Sequence, residues 1–531
     1  MSGQKTILIG LDGLGFSEIG SLMDSGELPV LSSLSESTGV DLKSTHPPWT
    51  PCAWPSMLTG KNPGKHGVFD FYTRDGYDKR LVNRNDVDSP YLHDVMAEEG
   101  LTPIIINFPV THPAPSLGSG ALVPGYLARE DTTFYPRGLR EEYESEYGKY
   151  RIYPDYGKDD DVVSEYISVA RNRRDMARFL DNQYEWDLLA VQFQVTDSIF
   201  HDLEDRGKIN QILSKIDGFV GDIISLDDSA SVYVASDHGM GDYDWTFYVN
   251  TWLSERGYCK TKEGSPQYFR QEKEGKLKGN SEPSMSLVGS LVDRTAYSLS
   301  TMGISPRRVH RLLDSVGLTR FIELILPEDA LVAAQNEVVD HKESIAYQLY
   351  FNSLGIHLNV EGRDPAGAVP ESDYEQVRSE LISELSDIRD PEGKLVFDDV
   401  VSRESMYEGE NITEAPDILL IPRDYRYDVS GSLLNKFRKY PHKNHKPNGI
   451  LLSNRELDIQ DEYTIYDVSQ TIAAEIGIPI DSNSDGVVLR TFSDDIKSDC
   501  WDDLAGEYQE LMADDDTTSV EDRLADLGYM E

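Results

Sequence analysis

The chain has 531 residues, with 94 Asp or Glu against 50 Lys or Arg and a formal net charge of −44. That length allows a large core and more than one domain, and 39% hydrophobic residues place the chain among globular proteins. So acidic a chain lacks the basic surface that general nucleic-acid binding or docking on anionic lipid requires. From this charge we expect a halophilic surface solvated at high salt, where screening removes most self-repulsion. Cys52, Cys259 and Cys500 are too few and too widely spaced for a disulfide framework or a zinc finger. No charged and then apolar leader opens the sequence, and no apolar run approaches a spanning helix. The expected setting is cytoplasmic, with no membrane span.

The first apolar run, Thr6-Ile-Leu-Ile-Gly-Leu11, predicts a strand, and Asp12 follows it. Next comes Pro47-Pro-Trp-Thr-Pro-Cys-Ala-Trp-Pro-Ser-Met-Leu-Thr-Gly60, which carries Thr50. Pro103–Asn107 reads as a strand, and Ser164–Asn182 as a helix with apolar residues three and four apart. The strand-like Leu188–Phe193 is followed by Asp197 and His201, and a helix is expected over Gln211–Ile224. Ser231–Ala235 is a third strand of this kind, with Asp237, His238 and Gly239 close behind.

Residues 256–320 break the pattern, with twelve Lys or Arg against six Asp or Glu and no clear strand. We expect an inserted, mostly helical cap over 256–339, either paired with acidic surface or acting as a basic lid that draws in an anionic substrate. Beyond it, Ile345–Phe351, Gly355–Asn359 and Asp417–Ile421 predict strands, and Asp373–Ile388 a helix. His445 stands just before the apolar Gly449–Leu452. From 496 the chain is an acidic tail that closes on an amphipathic helix from Val520, ended by Gly528. The main core is therefore expected over 1–255 and 340–495. Alternating strands and helices predict an α/β/α sandwich with a mainly parallel central sheet.

Such sheets gather ligands at the carboxyl ends of their strands. Asp12, Asp197, His201, Asp237, His238 and His445 all lie at or beside strand ends, enough to hold two divalent ions. Asp197 and His201 are four apart, so one helical turn presents both on one face. Asp237 and His238 are adjacent, and both reach inward only if the chain turns there, with Gly239 permitting the turn. Imidazole and carboxylate without thiolate suit Zn²⁺, with Mn²⁺ or Fe as alternatives. Thr50 is a candidate nucleophile, since a bound cation lowers the pKa of a hydroxyl. Ser56 and His442 are the nearby alternatives to Thr50 and His445.

These residues, in this order, resemble the alkaline phosphatase superfamily, and within it the type I phosphodiesterase/nucleotide pyrophosphatase group. The matching stretches are Ile9-Gly-Leu-Asp-Gly-Leu14, Thr50 to Gly60 with Pro63-Gly-Lys-His-Gly67, Asp197-Ser-Ile-Phe-His201, Ser236-Asp-His-Gly-Met240 and His445-Lys-Pro-Asn-Gly-Ile450. Asn107-Phe-Pro-Val-Thr111, Gly362-Arg-Asp-Pro365 and Ala415-Pro-Asp417 are similar too. The resemblance implies an alkaline-phosphatase-like fold and two metals. One would be held by Asp12, Thr50, Asp237 and His238, the other by Asp197, His201 and His445. It implies that Thr50, nine residues before Thr59-Gly60, attacks phosphorus to give a phospho-threonine that water then hydrolyses. The expected function is a phosphodiesterase acting on a small anionic phosphoester, with a monoesterase or a phosphotransferase/mutase as the alternative. A binding protein without turnover is a further alternative. The resemblance departs at Asp70 and Phe71, where many relatives place an Asn to hold phosphate, so a nucleotide is not implied.

Overall fold

The computed structural model describes residues 4–154, 161–263, 337–350, 352–492, 495–505 and 520. Most of the basic segment 256–320, and the terminal helix after Val520, lie outside the described residues. The chain divides into two compact units. Among the described residues, the first draws on Met1–Tyr243, Arg403–Ala415 and Pro441–Val520, and the second on Asp244–Ser402 and Pro416–Tyr440.

The first unit is built on a seven-stranded sheet. Its strands are β1 (Thr6–Leu11), β2 (Thr38–Lys43), β3 (Pro103–Ile106), β4 (Ala121–Val123), β5 (Leu188–Phe193), β6 (Ser231–Ala235) and β7 (Asn448–Ser453), in the order β2-β7-β6-β1-β5-β3-β4. The run from β6 through β1, β5 and β3 to β4 is parallel throughout. Every residue of these five strands is buried, which is why they appear as unbroken apolar runs rather than alternating ones. β7 pairs antiparallel with both β6 and β2. Its amino end therefore lies where the carboxyl ends of its parallel neighbours lie, and a residue that precedes β7 can join residues that follow β1, β5 and β6.

Five helices matter most for the site: α1 (Thr50–Thr59), α2 (Val162–Asp181), α3 (Val195–Asp202), α4 (Arg206–Ile224) and α5 (Tyr466–Ile476). α2 and α4 pack on one another, and α2 lies against β5 and β3, while α1 packs on α5, which also reaches β1. The amphipathic stripes expected for α2 and α4 are realised, with Val169, Met176 and Leu180, and Ile209, Ile212, Ile216 and Val220, all buried. At the start of the acidic tail, Trp501 is fully buried and its indole donates to the Pro479 carbonyl at 2.9 Å.

The second unit contains a four-stranded antiparallel sheet ordered Ala346–Tyr347, Gly355–Leu358, Ile418–Pro422, Phe397–Ser402. The strand expected over Ile345–Phe351 contracts to two residues, because the Gln348 amide turns to the Asn250 side chain at 2.8 Å. Here the two stretches Gly362–Pro365 and Ala415–Asp417 find a structural use. Arg363 grips the buried Asp417 with both Nη atoms, at 2.7 and 2.8 Å, and Asp417 also accepts the Leu358 amide at 2.7 Å. Among the described residues no helix is long and apolar enough to cross a membrane.

Candidate metal centre

Each candidate side chain is delivered by the strand or helix it adjoins. Asp12 emerges from β1, Asp197 and His201 ride on α3 after β5, Asp237 and His238 follow β6, and His445 precedes β7. All seven candidates lie in the first unit. Asp12, Thr50, Asp197, Asp237, His238 and His445 are fully buried, and only His201 is partly open.

Two triples form. In one, the ligand atoms of Asp12, Asp237 and His238 lie within 4.8 Å of one another, and in the other those of Asp197, His201 and His445 do so. His238 Nε2 is 3.5 Å from Asp12 Oδ1 and 3.4 Å from Asp237 Oδ2. Asp197 Oδ1 is 3.4 Å from His201 Nε2 and 3.3 Å from His445 Nε2. The two imidazole nitrogens are themselves 3.3 Å apart.

Thr50 belongs with the first triple. Its hydroxyl oxygen is 3.3 Å from Asp12 Oδ1 and 3.3 Å from His238 Nε2. It is the first residue of α1, whose last residue is Thr59 and whose cap is the left-handed Gly60. The nine-residue spacing noted in the sequence is thus the length of one helix. That position sets the Thr50 oxygen at a helix N-terminus, where an oxyanion or phosphate is favoured.

The donor set fits divalent cations, and the fit is visible in how each ligand is braced. Each carboxylate spends one oxygen on the protein and turns the other inward. Asp12 Oδ2 accepts from Trp54 Nε1 at 2.8 Å and Gln192 Nε2 at 2.7 Å. Asp197 Oδ2 accepts from Gln194 Nε2 at 3.4 Å. Asp237 Oδ1 accepts the Gly13 amide at 3.3 Å, while its Oδ2 takes no hydrogen bond. The imidazoles behave alike. His238 Nδ1 donates to the Gly239 carbonyl and His445 Nδ1 to the Pro48 carbonyl, both at 3.0 Å. That arrangement leaves each Nε2 with its lone pair facing the cluster, the tautomer a metal ligand needs.

Charge gives the same answer. Burial, then repulsion from Asp237 and Asp197, pushes the Asp12 carboxyl well above its usual range, and burial with Asp197 does the same to Asp237. Burial holds His238 and His445 neutral. Crowded buried carboxylates are costly unless a cation balances them, and neutral imidazoles are the form that binds one.

Two glycines let backbone or ring come close. A Cβ on Gly10 would stand 2.6 Å from Trp54 Cη2 and 3.0 Å from Gln192 Cγ, so Gly10 clears the way for both donors to Asp12. Gly239 was expected to permit a turn, but it opens a strand, and a Cβ there would fall 2.2 Å from the Asn448 carbonyl. Its role is close approach to the chain before β7.

The alternatives lie elsewhere. Ser56 Oγ is bound to His66 Nε2 at 2.8 Å on the far turn of α1, and the His442 ring is 5.7 Å from that of Tyr243. Asp70 is buried and accepts the Phe71 amide at 2.7 Å. Sequence reasoning missed Trp54, Gln192 and Gln194. The available signal was a polar Gln inside the buried run Leu188–Phe193, since a buried amide must be hydrogen-bonded.

The family model for type I phosphodiesterase/nucleotide pyrophosphatase matches residues 6–306. The chain belongs to that family. Six of the seven candidates fall inside the matched residues, and His445 lies beyond them. Phosphonoacetate hydrolase from Sinorhizobium meliloti 1021, in complex with phosphonoformate, is similar in structure, with 13% identity, a TM-score of 0.53, and 90% of this chain and 96% of that chain covered. Its complex with phosphonoacetate gives 14% identity and a TM-score of 0.52 over the same shares. Human ectonucleotide pyrophosphatase/phosphodiesterase 5 gives 10% identity and a TM-score of 0.45, covering 90% of this chain and 96% of that one. No curated protein matches the chain. The fold is that of the alkaline phosphatase superfamily, and the protein is a metal-dependent phosphoric ester hydrolase.

Proposed function

We propose that this family member is a two-metal phosphodiesterase that works through a phospho-threonine on Thr50. The observation that carries the reading is the Thr50 hydroxyl, 3.3 Å from both Asp12 Oδ1 and His238 Nε2, beside a second ligand triple. Asp12, Asp237 and His238, with Thr50, would hold one cation, and Asp197, His201 and His445 the other, with Zn²⁺ the ion best suited to these donors and Mn²⁺ or Fe the alternatives. Bound cations supply Lewis acidity, which lowers the pKa of the Thr50 hydroxyl and offsets charge on the phosphoryl oxygens. Thr50 Oγ1 forms the new bond to phosphorus as the ester oxygen departs and takes a proton. Water then cleaves the phospho-threonine, releasing phosphate or a monoester and restoring the hydroxyl.

The α1 N-terminus favours the phosphoryl group over the attacking oxygen. The substrate is a small anionic phosphoester, and the acidic composition weighs against nucleic acid as a partner. The same composition is the ground for expecting the enzyme to work at high salt.

The test is a screen of bis-nitrophenyl phosphate, nitrophenyl phosphate, nitrophenyl phosphonate and nitrophenyl sulfate in high salt. The phosphonate enters because the S. meliloti structures hold phosphonates. We expect the diester to be the fastest, and acid-quenched turnover of it to leave nitrophenyl phosphate esterified to Thr50, one nitrophenol having departed. Thr50→Ala should lose about 10⁶-fold in kcat, as loss of a nucleophile does elsewhere. A Thr50→Ala protein as active as wild type would end the assignment.

A further inference from the structure

Behind the two triples runs a chain of side-chain amides. Asn107 Nδ2 donates to Gln192 Oε1 at 3.1 Å. Gln192 Nε2 has two hydrogens and uses both, one to Asp12 Oδ2 at 2.7 Å and one to Gln194 Oε1 at 3.2 Å. Gln194 Nε2 then donates to Asp197 Oδ2 at 3.4 Å. Asn107 and Gln192 are fully buried and Gln194 is 5% exposed.

The chain has a direction. An amide has one end that accepts and one that donates. Gln192 Oε1 is filled by Asn107, so its nitrogen must face Asp12 and Gln194. Gln194 Oε1 is filled by Gln192, so its nitrogen must face Asp197. A metal-bound carboxylate only accepts, so both ends of the chain require this one orientation. Asp12 belongs to one ligand triple and Asp197 to the other.

We propose that Asn107, Gln192 and Gln194 act as positioning residues that couple the two cation sites, by holding Asp12 and Asp197 together in the rotamers that each turn a single oxygen inward. This rests on the two-metal reading above. None of the three amides is a ligand. Losing one link removes one of the partners that fix the next amide, so the carboxylate at the far end is held less tightly, with Trp54 the remaining donor to Asp12 Oδ2. A change beside Asp197 is therefore felt at Asp12, although the two residues belong to separate cation sites. Loss of such an outer partner typically weakens metal binding by about 10- to 100-fold.

The experiment is a Co²⁺ titration of the metal-stripped full chain, followed by calorimetry and visible absorption. Wild type should take up two Co²⁺ per chain, and fewer than two would strike the two-metal reading itself. The His445→Ala protein should keep only the site of Asp12, Asp237 and His238. In that background Gln194→Met, which touches Asp197 and not Asp12, should weaken the remaining Co²⁺ site about 10-fold. Asn107→Asp is the second variant. It keeps the shape, suits the left-handed backbone of Asn107 at φ 68°, and turns the first donor into an acceptor. It should weaken the same site by a similar factor. Unchanged affinity in both variants would overturn the coupling while leaving the two metals in place.

Discussion

His238 and His445 stack ring on ring, with centroids 3.8 Å apart and planes 20° from parallel. They lie far apart in the sequence and belong to different ligand triples, so the stack joins the two triples face to face. Tyr243 adds a second brace, its hydroxyl donating to the His445 carbonyl at 2.7 Å. His445→Ala should lower the metal content from two ions per chain to one without unfolding the protein. Elemental analysis of the purified variant reads this directly, and two retained ions would remove His445 from the ligand set.

Gly10→Ala tests the packing behind Asp12. The added methyl would meet Trp54 Cη2 at 2.6 Å on a ring that is fully buried. Overpacking of a tight core costs about 1–3 kcal/mol, and Trp54 would be pushed away from Asp12 Oδ2. We expect a lower urea midpoint together with weaker Co²⁺ binding. A loss of stability with unchanged metal affinity would show that Trp54 does not brace the ligand.

Burial pushes the His93 imidazole down to about 4, with both ring nitrogens buried and without hydrogen bonds. Asp94 raises it and Arg84 lowers it, and neither outweighs burial. The fold holds this histidine neutral, whereas the unfolded chain protonates it below about 6.5. Stability is therefore unaffected above that value and falls as pH drops from 6.5 towards 4, by about 2 kcal/mol at pH 5. His93→Leu should lose less stability than wild type between pH 8 and pH 5 in urea titrations. Comparing the two pH values cancels any constant packing cost, so equal losses would refute the account.

Salt should matter to the whole molecule. At a net charge of −44, repulsion opposes the compact state, and the Debye length shrinks from about 30 Å at 0.01 M to about 3 Å at 1 M. The melting temperature should rise from millimolar to molar KCl. A flat response would mean that the acidic surface is not an adaptation to salt.

The positions of the candidate ligands were legible because each is tied to an element with a strong local signal. Asp12 follows six buried apolar residues, and Asp197 and His201 stand one helical turn apart. Thr50 was legible through its distance from Gly60, which the structure explains as the length of α1. The braces were not legible, because Trp54 and Gln192 act on Asp12 across 42 and 180 residues of sequence. The short strand at Ala346–Tyr347 failed for a similar reason: an apolar run cannot announce that Asn250 will claim the Gln348 amide.

By itself the sequence determined the class of fold, the chemistry of the candidate donors and the spacing of Thr50 from Gly60, since periodicity, residue type and short spacings are local properties. Tertiary structure alone decided that β7 runs against its neighbours and so returns His445 to the others, and that each carboxylate turns a single oxygen inward. Strand direction and hydrogen-bond partnership arise only when distant segments pack, and no single stretch of chain encodes them.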